Sequence, residues 1–103
     1  MRVRFAGAAE ADLKAIYLSG SKMFGRRRAE AYVAGLRRTV QQIADYPLAS
    51  RLRTTIEPPI RARPFQSHVI IYTVDEAGVL ILRFRHGHEN WLDDTIEGED
   101  EDQ

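Results

Sequence analysis

Arginine and histidine side chains alternate with apolar residues in the segment that runs from Ile60 to Trp91. Guanidinium groups bind phosphates and carboxylates, and an imidazole can take up or release a proton near neutral pH. The segment therefore carries groups suited to holding an anionic partner or to acid–base chemistry on a phosphodiester. The side chains concerned are those of Arg61, Arg63, Arg83, Arg85, His68, His86 and His88.

Two kinds of chemistry fit these side chains, and the first is cleavage of RNA. Attack of a 2′-oxygen on the adjacent phosphate needs a proton acceptor, a proton donor and cations against the developing negative charge. The second is the binding of an acidic, amphipathic peptide, without any covalent step, by arginines that stand beside exposed apolar residues. A nuclease would use Arg61, Arg83, His86 and His88.

The histidines also have a structural interpretation. His86 shares parity with the apolar positions of its predicted strand, so it is expected at the edge of the core with a hydrogen bond to the backbone. His68 is expected to have a ring nitrogen satisfied by a carbonyl or by a tyrosine hydroxyl. His88 followed by Glu89 is only a weak metal-binding pattern, so no metal and no cofactor is predicted.

Strand alternation predicts where the cations lie. If His68 to Val74 and Val79 to His86 are strands, Arg83 and Arg85 point away from the core. The same parity places Arg61 and Arg63 together in the run from Ile60 to Phe65. We therefore expect four guanidiniums on one sheet surface, beside Val69 and Ile71. The opposite, core-facing side is expected to hold Ile70, Tyr72, Val74, Leu80, Leu82 and Phe84.

The elements that position these residues follow from periodicity. Arg2 to Ala6 alternates as a short strand with Val3 and Phe5 inward, and Ala8 to Ser19 predicts a helix that ends at a Ser19-Gly20-Ser21 break. A long amphipathic helix is expected from Arg26 to Tyr46, and Pro47 ends it. Residues 48–59 are expected to form a polar connection, and three strands follow, the last two joined by a loop over 75–78. The order β-α-α-β-β-β predicts an α+β domain with a helical hairpin packed on one face of an antiparallel sheet.

Composition and charge limit the possible classes of protein. The 103 residues, 44% of them hydrophobic and 29% charged, predict one globular domain, expected over residues 1–94. Residues 1–88 contain all 15 lysines and arginines and seven acidic residues, so this segment has a net charge of +8. Residues 89–103 contain the other eight acidic residues. Residues 95–103 are therefore expected to be an acidic, disordered tail. The lack of cysteine and of any long apolar run favours a cytoplasmic protein without a membrane segment.

The chain resembles the RelE/ParE superfamily of bacterial toxins, and its ParE branch most closely. No single short motif is diagnostic, but their joint order over some 80 residues is specific. The resemblance lies in Ala11-Asp12-Leu13, Ile16-Tyr17, Phe24-Gly25, Ala29 with Tyr32 and Leu36, Tyr46-Pro47, Ile60-Arg61, Ser67-His68-Val69-Ile70-Ile71-Tyr72, Ile81-Leu82-Arg83, His86-Gly87 and Trp91.

The resemblance implies a type II toxin that a cognate, ParD-like antitoxin holds inactive in a hetero-oligomer, with a role in plasmid or chromosome maintenance or in stress responses. ParE-type members poison DNA gyrase, whereas RelE-type members cut mRNA on the ribosome. Sequence-specific nucleic-acid binding is not expected. On the ParE interpretation, Arg83, His88 and Trp91 would contact the target. Arg61, Arg63, Val69, Ile71, Arg83 and Arg85 would contact the antitoxin.

One departure bears on the choice between these activities. RelE-like nucleases generally have a tyrosine, or a histidine and a tyrosine, just after the last strand. This chain has Arg85-His86-Gly87-His88 there, and its only lysines are Lys14 and Lys22. The sequence therefore favours a non-enzymatic gyrase poison over a ribosome-dependent mRNA endonuclease. A toxin-like partner without poison activity is the third alternative.

Overall fold

The computed structural model describes residues 1–87, which form two helices on one face of a five-stranded sheet. The elements are β1 (Val3–Phe5), α1 (Gly7–Phe24), α2 (Arg26–Asp45), β2 (Leu52–Arg53), β3 (Ile60–Phe65), β4 (His68–Asp75) and β5 (Gly78–His86). The strands lie in the order β1-β5-β4-β3-β2. The α+β class and the order of the predicted elements are confirmed, but β1 pairs parallel with β5, so the sheet is mixed. The two-residue strand β2 also forms within the expected connection.

Helix α2 supplies the helical side of the main core. Its predicted apolar stripe is confirmed, because Leu36, Val40 and Ile43 are buried against the sheet. Side chains three and four positions apart share one face of a helix, so this spacing turns one stripe inward and leaves arginines on the outer side. The main core also includes Ala9, Leu13, Ile70, Tyr72, Val79, Ile81 and Phe84.

Helix α1 is longer than the sequence predicts. The expected break at Ser19-Gly20-Ser21 is wrong, because α1 continues to Phe24. A Cβ atom added to Gly20 would lie 3.4 Å from the Cβ of Ala29, so this glycine lets the two helices approach closely. The chain turns instead at Gly25, whose φ of 90° suits glycine.

The pairing of β3 with β4 overturns the expected common surface for the four arginines. A two-residue loop, Gln66 and Ser67, joins these strands, so Arg61 pairs with Tyr72 and Arg63 pairs with Ile70. Residues directly opposite each other in antiparallel strands share a face. Arg61 and Arg63 therefore lie on the helix-facing side of the sheet, at its β3 margin.

A bulge in β5 changes the alternation there as well. Tyr72 pairs with Ile81 whereas Ile71 pairs with Arg83, so Leu82 is the extra residue between them. The expectation that Leu80 and Leu82 face the main core is wrong. Val79 and Ile81 do so instead, and Leu82 packs in a second, smaller core on the opposite face. That second core comprises Ile56, Ile60, Val69 and Ile71, with Ala62 and Leu82 against it.

Candidate functional site

A groove opens between the C-terminal half of α1, the N-terminal half of α2 and the adjoining ends of β4 and β5. It has a volume of about 540 Å³. Apolar side chains form most of its wall, and polar groups lie at its sheet end. The residues that shape it include Ile16, Met23, Phe24, Tyr32, His68 and His86.

A tyrosine and two histidines form a polar cluster at the sheet end of this groove. The hydroxyl of Tyr32 lies 2.6 Å from Nδ1 of His68, in a hydrogen bond whose donor depends on the imidazole tautomer. The rings of His68 and His86 are cross-strand neighbours with centroids 5.1 Å apart. The structural prediction for His68, a ring nitrogen satisfied by a tyrosine hydroxyl, is confirmed.

Burial changes the acidity of the Tyr32 hydroxyl. It raises the pKa of the Tyr32 hydroxyl above its ordinary value of 10.0, and hydrogen bonds with the backbone and side chain of Ser67 oppose that rise. Tyr32 is therefore neutral near physiological pH. A neutral phenol can donate a hydrogen bond to a ligand or transfer a proton to a leaving group.

The rim of the groove is apolar and exposed. Met23 and Phe24 end α1, and their side chains are 70% and 59% accessible. Several large apolar side chains beside a groove are typical of a protein-binding site, because they gain free energy when a partner removes them from water. The groove is therefore suited to the apolar face of a peptide.

Arg83 is held against α1 and is not part of an open sheet surface. Its Nε and Nη2 donate to the two carboxylate oxygens of Asp12 at 2.7 Å and 3.0 Å, and the backbone N–H of Phe84 donates to the same carboxylate at 2.9 Å. Asp12 thus covers the edge of β5 beyond the point where β1 ends. The Arg83 side chain is about two-fifths accessible, so it can still contact a partner.

Arg61 and Arg63 are fixed by neutral acceptors at the β3 margin. Arg61 donates to the carbonyl oxygen of Ser50 at 2.6 Å, and Arg63 donates to the side-chain oxygen of Gln42 at 2.7 Å. Neither acceptor carries a formal charge. These hydrogen bonds position both guanidiniums without cancelling their positive charge.

Two residues predicted to contact the antitoxin are not accessible. Val69 and Ile71 belong to the second core and are 8% and 4% accessible, because Ile56 and Ile60 pack against them. Arg85 pairs with Val69, so it lies on that face, opposite to Arg61 and Arg63. The predicted site is therefore divided between two faces of the sheet, and the expectation that Val69 and Ile71 are exposed is wrong.

Several predictions fall wholly or partly beyond residue 87. His88, Trp91 and the acidic tail over 95–103 lie outside the described residues, and the proposed domain limit at residue 94 lies there as well. Within residues 1–87, no group of three or more His, Cys, Asp or Glu side chains is arranged to hold a metal ion. Over the same range neither helix is both long enough and apolar enough to cross a membrane.

Two contributors to these sites were missed in the sequence interpretation. Tyr32 and Asp12 belong to the motifs that carry the family resemblance, but the sequence predicts no site role for either of them. Each meets a partner far along the chain, His68 and Arg83 respectively. A polar residue on an otherwise apolar helical stripe, such as Tyr32, was the available signal, because a buried hydroxyl requires a hydrogen-bond partner.

Comparison with known proteins agrees with this architecture. Residues 3–91 match the model of a family described as the ParE toxin of the type II toxin–antitoxin system, parDE. A solved structure described as the chromosomal ParDE TA system from P. aeruginosa is similar, with a TM-score of 0.74 and 22% sequence identity. The alignment covers 84% of this chain and 95% of that one, and at this identity it establishes the fold. A search of curated proteins gives no match.

Proposed function

The chain belongs to the ParE toxin family of type II toxin–antitoxin systems, and from this premise we propose that it poisons DNA gyrase by binding to it. We propose a non-enzymatic action, since a groove with an exposed apolar rim suits a protein partner and the chain lacks the tyrosine that RelE-like nucleases generally have just after the last strand. The match of residues 3–91 to the ParE toxin family carries the proposal, and the groove supports the part of it that concerns the antitoxin. Arg83, accessible beside Asp12, is a predicted contact for the target.

A cognate, ParD-like antitoxin neutralises the toxin by covering the helical hairpin. Its apolar side chains fill the groove against Met23 and Phe24, which are exposed at the end of α1. Its acidic residues contact Arg63 and Arg61, whose guanidinium groups are held in place by hydrogen bonds to uncharged acceptors. Apolar burial supplies most of the affinity, and the ion pairs favour an acidic partner over others.

A second candidate, the ribosome-dependent mRNA endonuclease, gains support from the polar cluster. The tyrosine that RelE-like nucleases place after the last strand is missing from that position, but Tyr32 brings a phenol to His68 from α2. Together with His86, these groups include possible proton donors and acceptors. Arg28 lies at the same groove and could hold a phosphate.

Two assays run side by side with the same purified toxin separate the candidates. Gyrase-dependent supercoiling should be inhibited and cleaved DNA should accumulate, whereas mRNA on programmed ribosomes should stay intact. The reverse pattern would establish the nuclease, and activity in neither assay would indicate an inactive binding partner. His86→Ala adds a control, because it should remove nuclease activity but leave gyrase inhibition unchanged.

A further inference from the structure

The exposed large apolar side chains lie mainly at the two ends of α2. One group is the rim of the groove. The other follows the helix and consists of Tyr46, Leu48 and Leu52, which are 74%, 67% and 41% accessible; we call these three residues the 46–52 patch. The 20-residue helix separates the two groups by about 30 Å. A partner seated in the groove therefore leaves the 46–52 patch uncovered unless it extends along the molecule.

Hydrogen bonds fix the backbone around the 46–52 patch to the rest of the domain. The backbone N–H of Tyr46 donates to Gln42 at 3.0 Å, that of Ala49 donates to Tyr46 at 3.1 Å, and Arg61 donates to Ser50 at 2.6 Å. The Tyr72 hydroxyl, which is part of the main core, approaches the carbonyl oxygen of Pro47 at 3.5 Å. The apolar side chains are thus held outward by a fixed backbone, which reduces the entropy lost when a partner binds.

Positive charge borders the patch. Leu52 and Arg61 are directly paired across β2 and β3, so their side chains are neighbours on one face. Arg63 follows on the same face, and Arg51 is exposed in the loop itself. Asp45, just before the patch, is the acidic residue nearest in sequence. The local charge favours a partner with carboxylates.

Building on the proposed function, we propose that the 46–52 patch is the surface through which the toxin docks on its target protein. The complementary surface is an apolar area bordered by carboxylates. A DNA backbone would use the arginines but would leave Leu48 and Leu52 in water, so the apolar residues favour a protein. Tyr46 and Arg61 are of the residue types that most often supply binding free energy at protein interfaces.

This position also explains how an antitoxin anchored in the groove inhibits docking at the other end. An extended chain advances about 3.3 Å per residue, so about nine residues cover the length of α2. An acidic segment of that length, leaving the groove, reaches Arg63 and then Arg61. Its contacts there occupy the cations that border the patch, and the target and the antitoxin then compete.

The test compares Leu48→Glu with Ala31→Glu. Both substitutions add one negative charge at an exposed position, and Ala31 lies on α2 away from the patch. Both proteins should melt like the wild type. The dissociation constant for purified DNA gyrase without DNA should rise about tenfold or more for Leu48→Glu and should not change for Ala31→Glu.

The outcomes distinguish this inference from the function on which it rests. If the wild type binds gyrase and Leu48→Glu binds equally well, the patch is not the docking surface, although the proposed function stands. If the wild type neither binds nor inhibits gyrase, both are overturned. If Leu48→Glu weakens only the binding of a short DNA duplex measured separately, the surface contacts DNA and the assignment to a protein partner is wrong.

Discussion

The two ends of α2 are built differently although they rest on one core. At its N-terminal end the helices and sheet leave a groove with apolar walls and a polar cluster of Tyr32, His68 and His86. At its C-terminal end a loop fixed by hydrogen bonds carries the exposed apolar side chains of the 46–52 patch, with Arg61 beside them. A groove selects a partner by shape, whereas exposed apolar side chains beside fixed charges select it by charge pattern and area. On the proposed function, the groove binds the antitoxin and the 46–52 patch binds the target.

The largest expected effect comes from a substitution in the main core, on which both ends of α2 rest. Ile70 is fully buried between the helices and the sheet. Ile70→Ala should lower the free energy of unfolding by about 2–5 kcal/mol, because it leaves a cavity. Urea unfolding followed by circular dichroism measures this, and binding at both ends should weaken together.

Leu18→Ala provides the control for that experiment, since it truncates an aliphatic side chain at a half-exposed position. Its unfolding free energy should change much less than that of Ile70→Ala. An equal loss from the two substitutions would contradict the assignment of Ile70 to the common core.

The next effect separates the two ends. Phe24→Ala removes an aromatic side chain from the rim of the groove, so its dissociation constant for the antitoxin should rise about tenfold or more. Tyr46→Ala removes an aromatic side chain at the other end and should change antitoxin binding less. Titration calorimetry of both variants measures the difference, and a larger effect from Tyr46→Ala would reverse the assignment of the two ends.

A smaller effect concerns the contact that joins α1 to β5. Asp12→Ala removes the hydrogen bonds to Arg83 and to the backbone N–H of Phe84. Because Arg83 is partly exposed, the expected loss of unfolding free energy is about 1–2 kcal/mol. The matched control is Glu30→Ala, which removes the exposed pair with Arg26 and should cost less than about 0.5 kcal/mol. Similar values for the two variants, by urea unfolding, would show that Asp12 does not anchor α1.

The smallest effect tests the polar cluster of the groove through its pH dependence. Because the folded pKa of Tyr32 is raised, the stabilisation from this residue is complete below its unfolded pKa of about 10 and is lost as the pH rises through the folded value. Thermal melting from about pH 8 to about pH 11 should therefore show a steeper decline for the wild type than for Tyr32→Phe. Parallel declines would place Tyr32 in a water-like environment.

Periodicity predicted much of the fold, because burial of one face determines the stripe of α2 and the presence of the strands. It predicted that Arg85 lies away from the main core, but it did not predict the face of Arg61 and Arg63. That face depends on the two-residue loop at Gln66 and Ser67, which pairs Arg61 with Tyr72, just as the bulge at Leu82 determines which residues of β5 face the main core. One residue more or fewer in a loop or strand moves a side chain to the opposite face, and composition carries little information about either.

The candidate site was predicted less completely for a related reason. His68 was expected to meet a tyrosine hydroxyl, and it does so. The identity of that tyrosine, 36 positions earlier, depends on how α2 lies across the sheet. The groove rim exists because α1 continues through Gly20 to Phe24. The sequence predicts a break at Gly20, so it does not place Met23 and Phe24 in a helix.

Hydroxyl-radical footprinting of the toxin bound to gyrase is the most direct test, because methionine, phenylalanine and tyrosine side chains are oxidised readily when exposed. Gyrase should protect Tyr46 from oxidation, whereas Met23 and Phe24 should be oxidised as in the free toxin. With antitoxin bound, Met23 and Phe24 should be protected. Protection of Met23 and Phe24 by gyrase, with Tyr46 still oxidised, would contradict the division of the molecule into two binding ends.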